Sequence, residues 1–518
     1  MPVAADSWGD TARQVFQRPV LTMLFLGFAA GIPLLLIFSS LSLWLREAGT
    51  ERAAVTYFSW AALGYSFKFV WAPLVDQLPL PLLTRLLGRR RAWILVAQGA
   101  IILAILAMAS IDPAASESSL AWMALAAVLL GFSSATQDIV IDAYRIESAP
   151  VDLQAMMSAT YIAGYRIGML ASGAGSLFLA DLFGTRSDSY LYQAWQWTYW
   201  AMALAMAVGV VTTLLMREPE PSSARSELVG SRDYARFLLL FALSVVVFVG
   251  VFYLGGGIAA PLKSALGQSG WAALVFAFLV EAARLLAALL AAWLAAMSLV
   301  RAGLADYSLV ERTYLMPVRD FFHRYGWSLA WILLALIGVY RISDIVLGVI
   351  SNVFYQDLGF SKSEIATVVK TFGVIMTIAG GFVGGLLAIR FGVIRILFLG
   401  AVLAAATNLL FMLLAGVGYD MLWLYIVISA DNLSAGIASA AFVAFLSSLT
   451  NVSFTAMQYA IFSSLMTLLP KLFGGYSGSI VDAIGYPGFF LLTAILGIPV
   501  LFLIIITARR IEIGEHSR

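Results

Sequence analysis

Hydrophobic and polar positions alternate along this chain on a long scale: extended apolar runs are separated by short polar breaks. The runs fall at about 20–45, 54–76, 92–111, 119–145, 155–183, 195–216, 237–262, 269–300, 327–356, 364–389, 393–416, 421–448, 456–482 and 487–508. A helix needs roughly 20 apolar residues to cross a bilayer, and each run supplies about that many or more. The strands of a membrane barrel would alternate between lipid and lumen at every second residue, and these runs do not. The breaks carry turn chemistry, at Asp112-Pro113, Pro219-Glu220-Pro221, Gly416-Val417-Gly418-Tyr419-Asp420 and Gly485-Tyr486-Pro487. The pattern predicts fourteen helices in an all-α polytopic membrane protein.

Composition narrows the chemistry. Of 518 residues, 62% are apolar or aromatic and 12% are charged, whereas a soluble domain runs nearer half and a quarter. An ordinary soluble enzyme is excluded. There is no Cys, and the two His residues, His323 and His516, lie in polar segments. Disulfides, thiolate chemistry and Cys- or His-built metal sites are therefore not expected, and no catalytic residue is assigned. The polar segment Met1–Arg18 leads into an apolar run too long for a signal-peptide core and without a small-residue cleavage site, so it reads as the first retained span.

The net charge of +2 identifies no partner, but the distribution of the bases is informative. Most Lys and Arg fall in alternate inter-run segments, while the opposite segments hold only Arg46, Arg52, Arg186, Lys263 and Lys362. By the positive-inside rule the rich face is cytoplasmic, and an even helix count puts both termini there. The polar stretch 217–236 is the clearest linker, and 301–326 is a second basic connector. The parsimonious division is a six-helix bundle (1–216), the linker, two inserted helices (237–300), the connector, a second six-helix bundle (327–508) and a tail (509–518). Asp76 and Gly88-Arg89-Arg90-Arg91 are echoed in the second bundle by Arg390-Phe391-Gly392 and Arg395. Two related six-helix halves are the plan of a major facilitator superfamily transporter.

Charges well inside the runs are the candidate functional positions: Lys68, Arg166, Arg284, Arg341, Lys370 and Lys471, with Asp138, Asp142, Glu281, Asp344 and Asp431. Each would cost roughly 2.5–3.5 kcal/mol at the centre of a lone helix, so they line a wet cavity or neutralise one another. Asp138 and Asp142 lie four apart on one face of the fourth run, and two carboxylates so placed in a low dielectric do not both ionise cheaply. That arrangement suits proton coupling, with Asp142 the first choice of carrier. The competing readings are permanent pairing with Lys68 or Arg166, and direct substrate contact by Asp138 with Gln137. Lys68, Arg166, Arg341 and Lys370, two in each half, would form an anion site if they converged; alternatively, Arg341 pairs with Asp344 on its own helix. Asp431-Asn432 is a further polar candidate. Glu281 and Arg284 are expected to neutralise each other, and Lys471 to snorkel. Gly173/Gly175, Gly380/Gly381 and Gly384/Gly385 suit close helix packing, and Tyr65, Phe67 and Trp71 suit packing or a sugar platform. Asp76, Arg89 and Arg90 are read as topology determinants and a gate.

Specific strings resemble a known family. GFAAGIPLLLIFSSLSLWL (27–45), FKFVWAPLVDQ (67–77), GRRRAWIL (88–95), SSATQDIVIDAYR (133–145), GYRIGML (164–170), YRISD (340–344), VVKTFGVIMTIAGGFVGG (368–385), DNLSAGIASAAFVAFL (431–446) and AMQYAIFSSL (456–465) resemble the AmpG muropeptide permeases. These are inner-membrane members of the major facilitator superfamily in Gram-negative bacteria. The resemblance covers both halves and implies proton-driven import of N-acetylglucosaminyl-1,6-anhydro-N-acetylmuramyl peptides from periplasm to cytoplasm for peptidoglycan recycling, with a link to AmpC β-lactamase induction. It implies proton coupling at Asp138 and Asp142, and contact of Lys68, Arg166 and Lys370 with an anionic stem peptide. Arg145 and Arg341 stand where Lys is expected in the best-known members. No cofactor beyond the coupling proton is implied; the partners expected are the substrate and the lipid bilayer, with no nucleic acid, in a monomer. The alternative is another superfamily importer of an anionic solute, such as a peptide or an acyl-CoA-like molecule.

Overall fold

A computed structural model describes residues 16–50, 68–80, 82–185, 190–219, 231–264, 271–360, 364–474 and 477–516. The described residues are helical almost throughout. The first half holds α1 (Arg18–Leu35), α2 (Ala72–Gln77), α3 (Arg89–Ala109), α4 (Glu117–Ser148), α5 (Val151–Leu170) and α6 (Tyr192–Ala205). Next come α7 (Ser231–Ser264), α8 (Trp271–Arg301) and α9 (Met316–Val339). The second half holds α10 (Ile342–Asp357), α11 (Gly373–Phe391), α12 (Val393–Val417), α13 (Met421–Leu449), α14 (Thr455–Gly474) and α15 (Ser477–His516). Among the described residues, twelve helical stretches are long and apolar enough to cross a membrane. Most of the expected 54–76 span lies outside the described residues. The fifth run is helical through α5 and Ser176–Leu182, and it carries Arg166 and Asp181.

The chain forms two compact units, one of 1–222 with 327–518 and the other of 223–326. The first unit contains both six-helix halves. The second holds α7, α8 and the start of α9, which breaks at Gly326 (φ 70, ψ 161). Expected ends shift where the backbone needs a special residue. The runs at 456–482 and 487–508 divide instead into α14, ending at Gly474, and α15, which kinks at Gly485 (φ 70, ψ 170). The left-handed conformation there favours glycine.

Two π-turns face each other in the first half, at Leu36–Ser40 after α1 and Ala171–Gly175 after α5. Such turns displace carbonyls from the helical ladder, and side chains take them up. The Ser40 hydroxyl donates to the Ser172 carbonyl at 3.0 Å, and the Tyr199 hydroxyl donates to that of Leu36 at 3.0 Å. Around them Trp44 stacks on Trp195 with ring centres 5.6 Å apart, and the Trp195 indole donates to Glu47 at 2.8 Å. In the second half Phe354, Phe411, Phe489 and Phe490 form the corresponding aromatic core.

α1 and α5 approach to backbone contact. A Cβ on Gly164 would lie 1.9 Å from the Leu24 carbonyl oxygen, and one on Gly27 2.2 Å from that of Tyr161. Gly31 and Gly168 repeat the arrangement one turn further on. α11 uses its glycines on two faces. Gly380 and Gly384 admit Leu433 and Ile437 of α13, while Gly385 lies against Ala155 and Met156 of α5, in the other half.

Candidate functional site

α4 begins at Ser116, whose hydroxyl accepts from the Ser119 amide, and ends ahead of Pro150. Its buried face carries Thr136, Gln137, Asp138 and Arg145. The Trp71 indole donates to the Thr136 hydroxyl at 3.1 Å and its ring packs on Phe132, fixing the Lys68–Val70 turn against this face. Lys68 Nζ stands 3.6 Å from Asp142 Oδ2, and Arg145 Nη2 stands 3.4 Å from Asp142 Oδ1. Asp138 has a different environment. It accepts from the Tyr161 hydroxyl at 3.3 Å and makes no ion pair within 4 Å among the described residues. Beside it Gln137 is fully buried, with neither amide atom hydrogen-bonded among the described residues.

Three bases approach from both halves. Arg166 lies on α5, Arg341 at the break between α9 and α10, and Lys370 on the π-turn Ile365–Phe372 that leads into α11. Arg166 feels the charge of Arg341, and Lys370 feels that of Arg166. Arg341 donates to Asp344 at 2.6 Å. Arg166 and Lys370 make no ion pair among the described residues. Bases within electrostatic range of one another, two of them without an acid partner among the described residues, are suited to receive an anion from outside the chain. Asp431 lies within electrostatic range of Asp344 and accepts from the Thr407 hydroxyl at 3.4 Å. Asn432 is used in helix packing, accepting from Thr377 at 2.9 Å and donating to the Ile428 carbonyl at 3.0 Å.

The connection between α2 and α3 forms a second cluster. Arg90, 1% exposed, donates to Asp76 at 2.7 Å and to both oxygens of Glu147 at 2.7 and 2.9 Å. Asp76 Oδ2 accepts from the Met457 amide at 2.8 Å, in the first turn of α14, where helical N–H groups lack internal partners and the dipole favours an anion. The Thr455 hydroxyl donates to Glu147. Arg89 donates to the Asp76 carbonyl at 2.5 Å, and Glu218 accepts from the Arg90 and Arg91 amides at 2.8 and 3.0 Å. This network joins α2, α3 and α4 of one half to α14 of the other.

Comparison with known proteins places this geometry. The family described as Acetyl-coenzyme A transporter 1 matches residues 20–196. The anhydromuropeptide permease of Escherichia coli is 28% identical over 96% of this chain and 82% of its own. Transporter AmpG 4 of Rickettsia felis is 30% identical over 94% of this chain and 96% of its own. The chain belongs to the AmpG transporter family. Solved structures add the fold. The proton:xylose symporter XylE aligns with a TM-score of 0.60 at 12% identity, covering 95% of each chain, and FucP with 0.56 at 13% identity, covering 95% of this chain and 98% of its own. This AmpG-family chain therefore has the major facilitator fold and is a multi-span membrane transporter, not an enzyme.

In this AmpG-family protein the structure brings Lys68 to Asp142, gathers Arg166, Arg341 and Lys370, and buries Asp76 with Arg90. Tyr65 lies outside the described residues, as do the side chains of Glu281 and Lys471. Arg284 donates to the Phe252 carbonyl at 2.8 Å and lies 4.0 Å over the Phe252 ring, in the gap left by Gly255 and Gly256. Arg145 is the last residue of the fourth apolar run, and its side chain is 1% exposed. Glu147, Glu218 and Thr455 emerge only in the fold. Their one sequence signal is an acid or hydroxyl at the end of a run, which is common at any helix terminus.

Proposed function

We propose that this transporter imports N-acetylglucosaminyl-1,6-anhydro-N-acetylmuramyl peptides together with protons, from the periplasm to the cytoplasm across the inner membrane, with both termini cytoplasmic. The observation that carries the substrate is the similarity to the anhydromuropeptide permease over 96% of the chain. The two clusters agree with it. Arg166, Lys370 and Lys68 suit the carboxylates of a stem peptide, and Gln137 offers an unspent amide to a polar ligand. Asp142 and Asp138 form the proton site, and Asp76, Arg89 and Arg90 the cytoplasmic gate.

The cycle is alternating access between two halves. With the gate closed, a proton from the periplasm neutralises the Asp138–Asp142 pair while the substrate's carboxylates neutralise the facing bases. Buried unpaired charge is costly, so the doubly loaded carrier reorients most readily. An acyl-CoA-like anion is the second reading, favoured by the match of residues 20–196 to the acetyl-coenzyme A transporter family.

Uptake of a labelled anhydromuropeptide into proteoliposomes, with and without an inward proton gradient, tests the assignment. Gradient-dependent accumulation competed by unlabelled anhydrodisaccharide is the expected result. Absence of uptake by folded protein, with competition by acyl-CoA in a binding assay, would transfer the function to the second reading.

A further inference from the structure

Arg145 is the buried charge that links the proton site to the seam between the halves. Its Nη2 faces Asp142 Oδ1 at 3.4 Å, and Asp142 is its only acidic partner among the described residues. Its Nη1 donates to three neutral oxygens: Gln154 Oε1 and Ser158 Oγ of α5, each at 3.2 Å, and Ser447 Oγ of α13 at 2.7 Å. The guanidinium lies 5.1 Å over the ring of Tyr459 on α14. On its own side the group is fixed. Gln154 is held by the carbonyls of Arg145 and Ala149, each at 3.0 Å, and Ser158 by that of Gln154 at 2.6 Å. Its grip on the other half consists of Ser447 and Tyr459.

We propose that Arg145 is the coupling residue of this transporter, turning protonation of Asp142 into release of the contact between the two halves. The inference rests on the reading of Asp142 as proton carrier and adds to it how the proton is felt at the seam. An ionised Asp142 offers one oxygen to Lys68 and the other to Arg145. A proton on either oxygen turns it towards a base that has donors and no acceptor, so one base loses its partner. Arg145 is then a buried cation among neutral acceptors, an unfavourable state that opening of the seam to water relieves. The other groups facing Asp142 are Asp138 on its own helix, Tyr161 of α5 and Tyr459 of α14. Arg145 touches no part of the three-base cluster and acts on the cycle through Asp142 and Ser447.

The chain contains no Cys, so spin labels on Leu86→Cys and Val452→Cys, exposed positions on the two halves, report the gate specifically. Distances are measured in lipid nanodiscs from about pH 5 to about pH 8. One coupled proton changes the open-to-closed ratio by up to about tenfold per pH unit, with opening favoured at low pH. Asp142→Asn is expected to lose the pH slope and to favour the open form by the same factor at every pH, with the closed form still visited. Arg145→Gln should lose the pH slope, leaving the ratio constant within about twofold across the range, while Arg145→Lys retains it. Ser447→Ala should favour the open form by a constant factor at unchanged slope. A folded Arg145→Gln with the parental slope overturns the proposal. If Arg145→Gln does not fold, Ser447→Ala decides alone, and a ratio unmoved at every pH overturns it. A parental slope in Asp142→Asn would instead remove the proton site itself.

Discussion

Asp142 and Asp138 share one helix face yet differ in what surrounds them, and the difference sets what each can do. Asp142 lies between Lys68 and Arg145, so its charge is compensated, whereas Asp138 makes no ion pair among the described residues, accepts from the Tyr161 hydroxyl and feels the charge of Lys68 from a distance. Asp142→Asn keeps the shape and removes the charge. It should abolish proton-driven accumulation while leaving expression and substrate exchange intact, as read in proteoliposomes with and without a gradient; undiminished accumulation would exclude the assignment. Arg166→Gln and Lys370→Gln address the other cluster. A hydrogen bond to a charged group contributes about 1.5–3 kcal/mol, so each should raise KM about ten- to a hundredfold, with a smaller effect on the disaccharide, which keeps only its lactyl carboxylate, than on a peptide form that carries several. The i,i+4 spacing of the two acids is legible from sequence because it is local. Which base meets Asp142 is not, because Lys68 lies on another helix and Arg145, three residues away, reads as solvated until Gln154, Ser158 and Ser447 surround it.

The helices themselves are readable from apolar run length: fourteen runs are expected, and twelve helical stretches among the described residues are long and apolar enough to cross a membrane. Their closest pairing is less so. The sequence singles out the glycines of α11 and Gly173/Gly175, of which Gly173 lies against Leu35 of α1, but the tightest approach is between α1 and α5 themselves, through Gly27, Gly31, Gly164 and Gly168. Spacing by four makes a small-residue stripe without naming its partner, which lies more than a hundred residues away. Gly164→Leu would drive side-chain atoms into the Leu24 carbonyl, already 1.9 Å from an ideal Cβ, and no rotamer escapes a clash with backbone. The expected outcome is loss of monodisperse protein on size exclusion. Gly99→Ala is the control: no neighbouring atom lies within 4 Å of the added Cβ, and helix propensity favours Ala by up to about 1 kcal/mol. Its thermal midpoint should be unchanged or slightly raised.

At the scale of the whole molecule, the two halves are held together at one end by charge and at the seam by close packing. Arg90 satisfies two acids, Asp76 and Glu147, in a site where all three side chains are nearly excluded from solvent. Each acid in turn holds the first turn of α14, Asp76 through the Met457 amide and Glu147 through the Thr455 hydroxyl. The Asp76 and Gly88-Arg89-Arg90-Arg91 string is visible in the sequence as a candidate gate. That it reaches across to α14 is not, since the contact joins positions 381 residues apart. Removing one partner of a buried pair costs about 3–5 kcal/mol because the other charges stay buried without it. Arg90→Ala leaves two such acids, so the contact with α14 loses at least that much relative to an arrangement in which both reach water. A reporter Ala159→Cys, 1% exposed and against Gly381 of the opposite half, measures the consequence. In the parent protein it should react slowly with maleimide, and in the Arg90→Ala background at least about tenfold faster. The double variant Arg90→Ala with Asp76→Asn removes one stranded charge and should recover part of the protection. Equal reactivity in all three would place the closure of the seam in the α5–α11 packing alone.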